Sequence, residues 1–128
     1  MNIRITNGIK ISVVTNYEVH HSQPQQSYYV YSYRVVIENM TNSPVQLLRR
    51  HWKIMESNGR FREVEGEGVI GQQPIIPPKK HHQYTSASRM GTDLGKMYGT
   101  YSMRRLDDDH HFKVKIPVFL LFPPHKLN

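Results

Sequence analysis

The chain has no cysteine in its 128 residues, so neither disulfides nor thiolate zinc sites hold it together. No apolar run approaches the roughly 20 residues of a membrane-spanning helix, and no membrane partner is expected. The opening stretch, MNIRITNGIKISVV, lacks the continuous apolar segment and small-residue cleavage site of a secretory signal. A cytoplasmic location is the expectation. Helical periodicity is missing too: no stretch keeps apolar residues at i, i+3, i+4 and i+7 for three turns. Acidic residues are few, 10 against 17 Lys and Arg, for a formal charge of +7 with histidine neutral. That excess is scattered in doublets (Arg49-Arg50, Lys79-Lys80, Arg104-Arg105) and forms no block. It reads as a solvated basic surface, and a nucleic-acid partner is not expected.

What the sequence does have is alternation. Ile9, Ile11, Val13, Tyr17 and Val19 recur at period two, as do Tyr29, Tyr31, Tyr33, Val35 and Ile37, then Trp52 and Ile54. Met97, Tyr101 and Met103 follow, and then Phe112, Val114, Ile116, Val118 and Leu120. Period two marks strands with one buried face. Turn residues break the segments at Ser22–Gln25, Asn39–Pro44, Ser57-Asn58-Gly59, Pro77-Pro78 and Asp107–Asp109. Such spacing reads as an all-β sandwich or barrel. Pro117 lacks an N–H, so it belongs on an edge strand, at a bulge, or where that donor would face solvent. The length suits one domain over 1–128, with a core over about 9–121 and a flexible tail over 122–128.

One hairpin register follows from burial. A two-residue Asn58-Gly59 turn would set Glu65 opposite Trp52. A three-residue loop, Ser57-Asn58-Gly59 with Gly59 left-handed, sets Val64 there instead and lets it share the buried face. The second register is preferred, and it puts Arg50 opposite Gly66.

Gly66 opens the motif GEGVIG, which fits the Gly-x-Gly-x-x-Gly pattern of dinucleotide-binding folds. That pattern works because a helix follows and offers free N–H groups to the phosphates. Here Gln72–Pro78 follows, with three prolines in seven residues, and no acidic residue stands where a ribose would need one. A Rossmann site is excluded. Two readings stay open. The glycines permit positive φ or a bulge, with Glu65 or Glu67 pairing Arg50. Or the loop forms an anion nest with Arg50 as a charged fork.

Several segments together resemble one family: VQLLRRHWKI (45–54), EVEGEGVIGQQPIIPP (63–78), QYTSAS (83–88), MGTDLGKMYGTYSM (90–103) and FKVKIPVFLL (112–121). They are similar to the ApaG (CorD) family, the DUF525-type domain, from about Val13 to Leu121. The resemblance implies an immunoglobulin/fibronectin type III-like β-sandwich of about seven or more antiparallel strands. Members occur as small bacterial proteins or as domains appended to F-box proteins and to a DNA-polymerase-delta-interacting protein. It also implies a binding module genetically linked to cobalt tolerance and magnesium efflux, with pyrophosphate binding proposed for the glycine motif. The chain departs from the family pattern at Pro78-Lys79-Lys80 and at Asp107–His111, both in loops.

The other constellations are bland. Histidine doublets at 20-21, 81-82 and 110-111 point to opposite faces of a strand and rarely give one ion two ligands. His110 with Asp107 or Asp108 is the nearest approach to a divalent-metal nucleus; otherwise no cofactor is expected. Tyr29, Tyr31 and Tyr33 continue into Val35 and Ile37 and so belong to the core, leaving Tyr28 free to stack a base. Thr85, Ser86 and Ser88 lie in a strand without a nucleophile elbow, and no enzymatic activity is expected. The sequence therefore predicts a non-catalytic module that binds a protein partner. Its surface would comprise Arg49, Arg50, Gly66, Glu67, Gly68, Gly71 and the Pro74–Pro78 segment. A homodimer through a sheet edge is a further expectation, and small-anion or divalent-metal binding at the same loops is the alternative.

Overall fold

A computed structural model of the chain describes residues 1–124. The alternating segments are strands: β1 (Asn2–Thr6), β2 (Ile9–Tyr17), β3 (Tyr29–Asn39), β4 (Val45–Glu56), β5 (Phe61–Glu67), β6 (Ile75–Ile76), β7 (His81–Met90), β8 (Gly95–Arg105) and β9 (His110–Leu121). A 3-10 turn at Pro24–Gln26 joins β2 to β3, and among the described residues no helix is long and apolar enough to cross a membrane. Two antiparallel sheets, ordered β1-β2-β3-β7 and β5-β4-β8-β9, bury their facing sides in one core; β6 pairs with β4 beside β5. The all-β sandwich expected from the sequence is present.

Alternation fills the core. Ile9, Ile11 and Val13 of β2 and Tyr31, Tyr33, Val35 and Ile37 of β3 are buried from one sheet. Trp52 and Ile54 of β4, with Met97, Tyr101 and Met103 of β8, are buried from the other. Trp52 is the centre, its ring 5.3 Å from Tyr33, 5.8 Å from Phe119 and 6.3 Å from Tyr101, in tilted and edge-on contacts. The residue opposite it on β8 is Gly99, where a Cβ would stand 2.0 Å from the His51 carbonyl oxygen.

The buried core starts at Ile9, and Asn7-Gly8, both at positive φ, turn β1 back onto β2 as an extra, mostly exposed edge strand. Two expectations need correction. Val19 lies beyond the end of β2 and is exposed. Val118 and Leu120 are exposed as well, while Phe119 and Leu121 are buried in their place. The cause is Pro117. Met97 pairs with Phe119 and Gly99 with Ile116, so Pro117 and Val118 together face one residue of β8. The proline occupies a bulge on an edge strand, as its missing N–H requires, and the bulge reverses the alternation. Of the tail expected over 122–128, Pro123 is buried; the rest beyond 124 falls outside the described residues.

A polar knot fixes the crossing between sheets. Asn39 is fully buried. Its Nδ2 donates to the carbonyls of Ser43 (2.8 Å) and Ile76 (2.9 Å), and its Oδ1 accepts from the Thr41 N–H (3.0 Å) and hydroxyl (2.6 Å). Removing the amide leaves several buried groups unpaired. Asn39→Ala is expected to lower unfolding free energy by about 2–4 kcal/mol in urea titration, whereas a loss under about 0.5 kcal/mol would discount the knot.

Candidate functional site

The site begins with a misalignment in β4. Leu47 pairs with Met103 and Arg49 with Ser102, leaving Leu48 as an extra residue. Val45 and Leu47 face the core before this bulge; Arg50, Trp52 and Ile54 share the inner face after it. The bulge thus turns Arg50, not Arg49, toward the space between the sheets, where its charge acts on the phenols of Tyr33, Tyr84 and Tyr101. Burial pushes the Tyr84 and Tyr101 hydroxyls well above the ordinary phenol value, so both stay neutral and hydrogen-bond to each other.

The glycine motif is built onto the bulge. The Leu48 carbonyl accepts both the Gly68 N–H (2.8 Å) and the Gln73 side-chain amide (3.0 Å), and the Pro74 carbonyl accepts the Leu47 N–H (3.0 Å). Arg50 and Gly66 are cross-strand partners, as the preferred register requires, and Trp52 pairs with Val64. Gly59 closes that hairpin at φ 88. The Arg50 guanidinium lies over Gly66, where a Cβ would come 2.9 Å from both of its terminal nitrogens. Its Nη1 donates to the main-chain carbonyls of Glu67 (2.9 Å) and Gly68 (3.1 Å). The carboxylate pairing expected of Glu65 or Glu67 is not made: Glu63 and Glu65 meet His51 on the outer face, at 2.7 and 3.3 Å. Beyond Gly68 the loop closes in a two-residue turn. Val69 and Gln72 exchange hydrogen bonds of 2.8 and 3.0 Å around Ile70 (φ 46) and Gly71 (φ 71). The N–H groups of Val69 and Gln72 are therefore spent within the loop, and that of Gly68 on the Leu48 carbonyl.

Ile70 is the unusual residue of that turn. A β-branched side chain at positive φ is rare and costs about 1–2 kcal/mol, yet Ile70 holds this conformation while 62% exposed. It forms the lip of a groove between β5 and β7, the edge strands on one side of the sandwich. Val64, expected to be buried with Trp52, is 40% exposed on the groove wall. It does lie on the inner face, but the groove separates β5 from β7, the nearest strand of the other sheet, and leaves the side chain open.

The groove has two cavities, of about 410 and 440 Å³. Trp52, Tyr33, Tyr84 and Ile54 floor the first, and Arg50, Arg62, Ser86 and Ser88 give it polar groups without any carboxylate or histidine. Arg60, Phe61 and Tyr28 line the second; its one acid, Glu56, is buried and accepts the Gly91 N–H at 2.7 Å. Between them Arg62 spans from β5 to β7, its Nη2 donating to the Ser88 hydroxyl (3.0 Å) and the Arg89 carbonyl (2.5 Å). Its Nε is buried without a hydrogen-bond partner, a deficit of about 1–3 kcal/mol that a ligand acceptor would relieve.

The remaining expected residues lie elsewhere. Asp107 and Asp108 are in the β8–β9 turn and His110 is the first residue of β9, beside a third cavity that His110 and Phe112 line. Arg105 grips Asp108 with two hydrogen bonds (2.9 and 2.7 Å) and holds its carboxyl down at about 2. Among the described residues no group of three or more His, Asp or Glu is placed to hold a metal ion. Sequence reasoning missed Arg62 and Arg89, and gave no binding role to Ser86 or to the exposed Ile70. Arg62 was within reach, since the chosen register puts it on the same face as Val64.

The two inner glycines make different demands. At Gly66 an added methyl meets only the end of the flexible Arg50 side chain. At Gly68 the φ is 63 and a Cβ would stand 2.1 Å from the Gln72 carbonyl oxygen. Gly68→Ala is expected to destabilise by about 2–4 kcal/mol and Gly66→Ala by under about 1 kcal/mol. Urea unfolding of both variants checks this, and the reverse order would contradict the geometry.

Residues 19–105 match the family model of the ApaG domain. The chain is 40% identical over 121 residues to Protein ApaG of Parvibaculum lavamentivorans, covering 94% of this chain and 92% of that one. It is 38% identical over 122 residues to Protein ApaG of Brucella canis, covering 95% and 93%. Its fold is similar to the X-ray structure of Northeast Structural Genomics Consortium target SoR45, with a TM-score of 0.86, 40% identity, and coverage of 92% of this chain and 89% of that one. By the family model and by its identity to these relatives, the chain belongs to the ApaG domain family.

Proposed function

We propose that the chain is a non-catalytic binding module that takes a segment of another protein into the groove between β5 and β7. The observation that carries this is the groove's composition: an aromatic and aliphatic floor, arginines above it, and an exposed Ile70 at the lip. Interfaces draw their energy from such aromatic and arginine anchors in desolvated pockets. A non-catalytic role is supported by the lining of the first cavity. Neither histidine nor carboxylate lines that cavity beside Ser86 and Ser88 to act as a base. The resemblance to a family linked to cobalt tolerance and magnesium efflux would put the partner among proteins of ion homeostasis.

A second reading, a small anion such as pyrophosphate held by Arg50 and Arg62, draws on the absence of carboxylates from the first cavity. It differs from the nest expected of the sequence, because the donors are side chains and not loop N–H groups.

A photo-crosslinking side chain at position 70, with a control at the exposed outer-face Arg34, tests the main reading in cells. Defined protein adducts from position 70 and none from position 34 are expected. Equal or absent labelling at the two positions would remove the groove as the docking surface.

A further inference from the structure

Four strands form the edges of the two sheets, and three of them are guarded. β9 carries Pro117 and its bulge. β5 presents Glu63, Glu65 and Glu67. β1 is five residues long and lies against β9, where the Thr6 hydroxyl accepts the Lys115 N–H at 3.3 Å. β7 has none of these devices. Its register with β3 runs unbroken over ten pairs, from Tyr29 with Met90 to Glu38 with His81, and its centre is Thr85-Ser86-Ala87-Ser88. A long, regular, small-residue edge without proline or bulge is a template for another strand.

Which groups face outward follows from the ladder. Opposite Arg89, Val30 gives its N–H to the Ser22 hydroxyl (2.9 Å) and its carbonyl to the Glu18 N–H (2.9 Å), so it offers nothing to β7. At the other end the Asn39 N–H donates to the Lys80 carbonyl at 2.9 Å. Even-numbered residues of β7 therefore bond to β3. The N–H and C=O groups of Thr85, Ala87 and Arg89 face the open side. Arg62 already occupies one of these positions by donating to the Arg89 carbonyl, and its Nε is left without a partner.

We infer that β7 accepts an extended acidic segment of a partner protein as an added strand, with carboxylates of that segment meeting Arg62 and Arg50. This rests on the reading of the groove as a protein-binding surface. An incoming N–H takes the Arg89 carbonyl from Arg62, and the released guanidinium, Nε included, pairs with a carboxylate in a two-pronged contact. Alternate side chains of the added strand point into the groove over Trp52 and Val64. Charge selects the partner: the cations at the groove are Arg50, Arg60, Arg62 and Arg89, against the buried Glu56.

The test is fluorescence anisotropy with a labelled peptide alternating Glu and Val. The same peptide with Lys for Glu, and one N-methylated at alternate amides, serve as comparisons. The Glu peptide is expected to bind, and the other two to fail. Ala87→Pro removes only an outward N–H and is expected to weaken binding roughly tenfold with the melting temperature unchanged. If that variant is itself destabilised, hydrogen exchange on the wild type decides, with slowed exchange at Thr85 and Ala87 on adding peptide expected. Unaltered exchange there, or undiminished binding of the N-methylated peptide, overturns the proposal. So does full displacement by pyrophosphate of an N-methylated peptide that still binds, which indicates an anion pocket. Self-association abolished by Ala87→Pro, without peptide binding, would make the occupant a second copy and likewise overturn it. Crosslinks from position 70 that survive Ala87→Pro leave the groove reading standing and remove strand addition alone.

Discussion

The extra residue at Leu48 is the constraint from which the rest of the site follows. Without it the alternation of Val45 and Leu47 would continue to Arg49, and Arg50 would face solvent on the outer side. With it Arg50 enters the space between the sheets. A charge there needs acceptors, and the nearest main chain supplies them only if it comes close. Gly66 allows that approach because it has no side chain. The bulged residue's own carbonyl then anchors Gly68 and Gln73. Bulge, arginine and glycine loop form one unit, and each part explains the next.

That unit satisfies the geometry of Arg50 without neutralising it. Carbonyls accept hydrogen bonds but bring no countercharge, so the guanidinium keeps its full positive charge beside an aromatic floor. The same holds for Arg62, which donates to a hydroxyl and a carbonyl. The contrast is with the β8–β9 turn, where Arg104 and Arg105 meet Asp109 and Asp108 directly at 3.0 and 2.7 Å. Exposed pairs of that kind contribute little, about 0–1 kcal/mol each. An uncompensated guanidinium in a partly desolvated groove attracts an anion more strongly, because the effective dielectric is lower there. The fold thus neutralises cations at one end of the sandwich and leaves them available at the open edge.

Most of the fold was legible because buried strands announce themselves at period two, and the Asn58-Gly59 register followed from asking which residue could face Trp52. Legibility failed where alternation breaks. Pro117 signalled a bulge, but not that Val118 and Leu120 would exchange places with Phe119 and Leu121. Leu48 gave no signal at all, since an extra leucine between Leu47 and Arg49 leaves no mark in composition. For that reason Arg50 could be placed opposite Gly66 while its acceptors were misjudged: carboxylates can be counted in a sequence, and main-chain carbonyls cannot. Val64 failed differently. Its facing direction was right, but burial depends on whether the other sheet extends that far, which only the strand order decides. The groove was hidden for the same reason, since it lies between strands that are neighbours in neither sequence nor sheet.

An unguarded edge such as β7 would ordinarily invite pairing with a second copy of itself. Antiparallel pairing of two β7 edges about Thr85 and Ala87 would line one seam with Arg62 and Arg89 of both copies, and β7 itself brings no carboxylate to offset them. Like charges brought together in a partly desolvated contact oppose association. On the proposed reading the edge is open in its hydrogen bonding, and its charge disfavours a second copy. The arginines that disfavour a second copy are the same groups that favour an acidic strand. Specificity on such an edge comes from the repulsion as much as from the attraction, and both arise because β5, the facing edge, turns its glutamates outward and Arg62 inward.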